Sequence, residues 1–73
     1  SSVQDLILAL LAEPDQPWLS IQQICSLLSE RHCDTFRPRQ VRESMTTLWN
    51  NRVVLKKIEV SKSGLRVFVY RKA

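Results

Sequence analysis

Seventy-three residues, 44% of them hydrophobic and 25% charged, provide for one domain over residues 1–73 with one small core. That size excludes an elaborate catalytic cleft, and the composition excludes a disordered chain. The net charge of +4 hides a split: residues 1–36 carry Arg31 alone against Asp5, Glu13, Asp15, Glu30 and Asp34, a net of −4, whereas residues 37–73 carry ten Lys and Arg against Glu43 and Glu59, a net of +8. A cationic field concentrated in one half attracts polyanions, which makes nucleic acid the first partner to consider.

In chain order, Ser2 to Asp5 reads as a capping box with Asp in the Glu position. Val3, Leu6, Ile7, Leu10 and Leu11 follow at helical spacing, so a first helix is expected, ended by Glu13, Pro14 and Asp15 because Pro14 cannot continue the ladder and disfavours helical geometry at Glu13. Pro17, Trp18 and Leu19 predict an extended piece able to form a one-pair strand. Ser20 to Gln23 is a second capping box, with Leu19 placed to staple onto Ile24. It starts a helix whose buried stripe is Ile21, Ile24, Cys25 and Leu28 and which fades at Ser29 to Arg31. Pro38 suits the first position of a third helix, with Arg37 as N-cap, Thr35 or Asp34 as caps of a longer start, and Phe36 and Val41 at the staple positions. Val41, Met45, Leu48 and Trp49 form its expected inner face, leaving Arg39, Arg42, Glu43, Thr46 and Asn50 outside. After Asn50 to Arg52, the stretches Val53–Val60 and Leu65–Tyr70 predict a β-hairpin around Ser61–Gly64, with Gly64 where a left-handed residue is needed. Broken alternation at Lys56 and Lys57 predicts either a bulge there or pairing that starts after them.

This order of helix, short strand, helix, turn, helix and hairpin resembles the winged helix-turn-helix superfamily over essentially the whole chain, without singling out one family. The resemblance implies an α+β fold: a three-helix bundle with a C-terminal two-stranded wing and a short third strand near Trp18. It also implies a third helix in the major groove of DNA and a wing on backbone or minor groove. Carried over by position, Arg37, Arg39, Gln40, Arg42, Glu43, Thr46 and Thr47 face DNA from the helix, and Lys62 and Arg66 from the wing. The connection from Arg31 to Arg37 is longer than the tight turn of the simplest helix-turn-helix.

The residue types suit that role, since an arginine fork binds guanine O6 and N7, or a phosphate, through two hydrogen bonds. Lys56, Lys57, Arg71 and Lys72 are expected to add diffuse field, and Trp18, Trp49, Phe68 and Tyr70 to serve the core. Cys25, His32 and Cys33 lack the spacing of a closed zinc shell, adjacent His32 and Cys33 do not make a nucleophile and base, and no Gly-rich phosphate loop occurs. No enzyme activity, metal, cofactor or small-molecule ligand is expected. The apolar run Leu6–Ala12 falls far short of the roughly 20 residues of a bilayer span, and no basic residue precedes it as in a secretory signal. These features predict a soluble intracellular protein of cytoplasm, nucleoid or nucleus with reduced cysteines. Ser1 in place of an initiator methionine raises the expectation of an excised domain.

The expected function is duplex DNA binding in transcriptional regulation, aided by a homodimer or an adjacent domain because one such module offers few base contacts. Two alternatives stay open. The basic surface could dock an acidic protein, with Leu8 adding an apolar contact, or RNA or single-stranded DNA could stack on Tyr70, Phe68 or Trp18.

Overall fold

Three helices and three strands make up the computed structural model, which describes residues 2–73, in the order α1 (Val3–Leu11), β1 (Leu19–Ser20), α2 (Ile21–His32), α3 (Pro38–Asn50), β2 (Val54–Val60) and β3 (Arg66–Lys72). The helix starts follow local chemistry. Ser2 Oγ accepts from the Asp5 N–H at 3.2 Å. Ser20 and Gln23 complete a reciprocal box, with Gln23 N–H donating to Ser20 Oγ at 3.2 Å and Ser20 N–H to Gln23 Oε1 at 2.9 Å. Arg37 caps α3 without a side-chain bond, and the start rests instead on Pro38, which has no N–H to satisfy and a preset φ. Neither Thr35 nor Asp34 takes the cap, because Asp34 Oδ1 accepts from the Thr35 N–H at 2.7 Å.

α1 ends ahead of Glu13 and Pro14 as expected, whereas α2 overruns its expected end. α1 stops at Leu11, and the Leu10 carbonyl accepts from the Glu13 N–H at 3.3 Å and from Gln16 Nε2 at 2.9 Å. α2 runs past Arg31 to His32 before Cys33 turns left-handed at φ 50°. The connection to α3 is therefore only Cys33–Arg37, shorter than read from the sequence. It is pinned by Phe36, whose ring is buried and whose N–H donates to Ser29 Oγ at 3.1 Å. Arg31, the lone cation of the acidic half, pairs with Glu13 and holds its carboxyl below the usual range through that hydrogen bond.

α3 ends in a Schellman motif: Val53 N–H donates to Leu48 O at 3.1 Å and Arg52 N–H to Trp49 O at 3.0 Å, with Arg52 left-handed at φ 61°. Glycine is the usual occupant. The left-handed penalty of roughly 1–2 kcal/mol exceeds the roughly 0.5–1 kcal/mol of extra chain entropy that glycine loses. Arg52→Gly is therefore expected to raise the unfolding free energy by about 0.5–1 kcal/mol, read as a higher urea midpoint at unchanged slope.

The sheet order is β1-β3-β2, all antiparallel. β2 and β3 pair without interruption from Val54↔Lys72 to Val60↔Arg66, so there is no bulge at Lys56 and Lys57 and pairing does not wait for them. Both lysines fit because they lie over aromatic rings: Lys56 Nζ is 4.9 Å from the Trp49 centroid and 4.7 Å from that of Phe68, and Lys57 Nζ is 4.4 Å from that of Trp18. At the tip, Gly64 N–H donates to Ser61 O at 2.9 Å and Gly64 takes φ 85°, the expected left-handed position. Leu65 belongs to this tip, and the returning strand runs on past Tyr70 to Lys72. β1 is Leu19–Ser20, paired as Leu19↔Tyr70 and Ser20↔Val69.

Ile7, Leu10 and Leu11 of α1, Ile24, Cys25 and Leu28 of α2, and Val41, Met45 and Leu48 of α3 pack with Phe36 and with Leu19, Val54 and Tyr70 of the sheet. Three of the four aromatics expected there lie outside that cluster. Trp49 is 40% and Phe68 48% exposed, both turned toward Lys56 on the wing side, while Trp18 is half-buried and Tyr70 is in the core.

Candidate nucleic-acid interface

Burial of Val41, Met45 and Leu48 leaves the other sides of α3 free, and helical spacing divides them into strips. Pro38, Arg42 and Thr46 form the strip nearest the wing. Across an open groove of about 600 Å³ they face Lys56, Arg66, Phe68 and Tyr70, with Val67 and with Ser20, Ile21 and Gln22 also in the lining. A second hollow at the start of α3 gathers Thr35, Arg37, Arg39, Gln40 and Glu43. A third, where α3 meets the start of α1, takes Gln40 and Glu43 again with Thr47, Ser2 and Gln4. The residues singled out from the sequence thus fall into groups: Arg42, Thr46 and Arg66 share the wing groove, Arg37, Arg39, Gln40 and Glu43 share the hollow beside it, and Thr47 faces α1. Lys62 is exposed at the hairpin tip and lines none of these hollows.

The two candidate arginines differ in their partners. Arg39 Nε lies 3.4 Å from Glu43 Oε1 with both side chains largely in water, an i,i+4 pair worth only about 0.3–0.5 kcal/mol and readily exchanged for a phosphate. Arg42 makes no ion pair among the described residues. Its field nevertheless reaches the core edge, where it opposes the burial that pushes up the Cys25 thiol and the Tyr70 phenol.

Both groups are neutral in the folded state and ionise more readily once the chain unfolds. Their stabilising contribution is complete below the unfolded values, about 8.5 for Cys and 10 for Tyr, and is lost as pH rises through the higher folded values. Melting temperatures followed by circular dichroism should therefore hold level through neutral pH as far as these two groups act and fall above about pH 9–10.

Thr46 Oγ1 donates to the Arg42 carbonyl at 3.0 Å and Thr47 Oγ1 to that of Glu43 at 3.4 Å. With its proton engaged, each hydroxyl offers a ligand a lone pair and a methyl group, a surface suited to a base amino group or a thymine methyl. Lys56 was expected only to add field, yet it stands in the groove between two exposed rings. The signal that locates it is the hairpin register, which sets Lys56 opposite Tyr70 and diagonal to Phe68 on one sheet face. Among the described residues no group of three or more His, Cys, Asp and Glu could hold a metal ion. No helix is long and apolar enough to cross a membrane among those residues.

No protein-family model matches the chain, and no curated protein does. Solved structures do. A protein of Thermoplasma acidophilum with a suggested role as transcriptional regulator matches 97% of this chain and 69% of its own, at a TM-score of 0.81 and 17% identity. Bacillus subtilis PadR, solved in complex with operator DNA, matches 94% of this chain at a TM-score of 0.75 and 17% identity, and this chain spans 41% of that one. At such identity the likeness is one of architecture, and that architecture is the winged helix.

Proposed function

We propose that the chain binds duplex DNA in transcriptional regulation, with α3 entering the major groove and the wing holding the neighbouring backbone, and that it performs no chemistry of its own. The observation that carries this reading is the wing groove, where an unpaired Arg42 stands with Thr46, Lys56 and Arg66 on the half of the molecule that holds ten of its eleven Lys and Arg residues. The likeness to PadR, a structure that contains operator DNA, supports it. Arg37, Arg39, Gln40, Glu43 and Thr47 extend the contact along α3, and Lys62 extends it at the wing tip. Neutralising about 4–6 phosphates gives a log–log salt slope of roughly −4 to −5.

A second reading has one observation in its favour. Phe68 is 48% exposed at the mouth of the groove, where an unpaired base of RNA or single-stranded DNA would stack. Chemical-shift titration with random-sequence duplex and with a single strand, each at two salt concentrations, separates the two. Duplex preference with shifts over residues 37–47 and 61–66 is the expected result. Preference for the single strand, with the largest shift at Phe68, favours the second reading, and no binding of either at low salt rejects both.

A further inference from the structure

β2 is the outer strand of the sheet and has no neighbour on its far side among the described residues. Which of its backbone groups point there follows from the ladder. Ser61 N–H donates to Leu65 O and Ala73 N–H to Val53 O, so the odd-numbered residues turn their polar groups toward β3. Val54, Lys56, Ile58 and Val60 therefore present N–H and C=O outward. The edge holds no proline and no bulge, and its only guards are the charges of Lys56, Lys57 and Glu59, between and beyond which Ile58 and Val60 stand 52% and 62% exposed. Such an edge is a template for another strand.

We propose that the edge pairs antiparallel with β2 of a second copy of this chain, about a two-fold axis through Ile58. The choice of partner rests on charge complementarity. Outward groups of one copy meet outward groups of the other only when the axis passes through a residue. An axis through Lys56, Lys57 or Glu59 sets each of these opposite itself, a like-charge pair. An axis through Ile58 sets Lys57 opposite the second copy's Glu59, and symmetry makes that pair twice. Both are at non-hydrogen-bonded positions, where side chains come closest. Ile58 then meets its own counterpart on the other face, beside Lys56 and Val60.

Glu59 has no ion-pair partner within the chain among the described residues, although it is one of only two acids in the basic half. Lys57 gives up its place over Trp18 to make the pair. The axis stands perpendicular to the joined sheet, so both helix layers, and with them both copies of α3, lie on the same side.

The interface is small, so association is weak and concentration-dependent. Sedimentation equilibrium of the whole chain between about 10 µM and 1 mM should show mass rising from monomer toward dimer. Lys57→Glu and Glu59→Lys should each weaken association by about tenfold or more, and the two together, which exchange the charges and keep them opposite, should restore it. Ile58→Pro removes an outward N–H that β3 does not use, and should abolish the dimer while the chain stays folded by circular dichroism. A monomer throughout the range, a dimer that survives Ile58→Pro in folded protein, or a charge exchange that fails to restore association would each overturn the proposal.

Discussion

Arg42→Ala is expected to lower duplex affinity by about 5- to 150-fold, the 1–3 kcal/mol of a two-bond arginine contact. The side chain is the cation on the α3 side of the wing groove and has no ion pair among the described residues, so removing it breaks none there. The loss should therefore appear in binding with little change in stability. Fluorescence anisotropy at several salt concentrations also tells which DNA group it meets. A phosphate contact reduces the salt slope by about 1 and weakens all sequences alike, whereas a base contact relaxes preference at one position. Arg71 belongs to the sheet face turned away from the groove, and Arg71→Ala should cost only a few-fold through the general field. Equal losses for the two variants would remove Arg42 from the interface.

Ile24→Ala should be the most damaging single truncation for folding. Ile24 is fully buried in the core that α1, α2, α3 and the sheet share, and deleting its side-chain methyls leaves a cavity that costs about 2–5 kcal/mol. A chain of this size holds roughly 0.05–0.15 kcal/mol of stability per residue, about 4–11 kcal/mol in all. The substitution removes a large part of that, and at about 4–8 °C per kcal/mol the midpoint should fall by 10 °C or more. The same deletion at half-exposed Ile58 should shift it far less. A melt of Ile24→Ala within a few degrees of the parent would mean that the core relaxes around the gap or is not organised as described.

What the chain discloses before folding is mostly local. Ser2, Ser20 and Pro38 announce helix starts because a cap acts within three residues of itself. The ends are harder to read, since α2 and α3 are closed by Cys33 and Arg52 in the left-handed region, a role that neither side chain advertises. Trp49 stands four residues after Met45 and eight after Val41, which by spacing alone belongs inside. It turns outward because Leu48 completes the inner stripe and Lys56 covers the indole from the next strand. The outer residues of α3 could be named from periodicity, but not the strip on which each lies. That Arg42 and Thr46 share a groove with Arg66 and Phe68 depends on the register of β2 with β3 and on Leu19 pairing with Tyr70, contacts that no local pattern encodes.

Strand β3 lies between β1 and β2, yet it is the last of the three to be made. During translation the ribosome must release residues 66–72 before the sheet can close, and until then Leu19 lacks its Tyr70 partner and β2 is bare along both sides. The nascent chain therefore passes through an interval in which the helices have emerged with one flank of their shared interior missing. Chaperone contact or aggregation during synthesis has its opening in that interval, and a stop codon that removes β3 leaves the chain in it permanently.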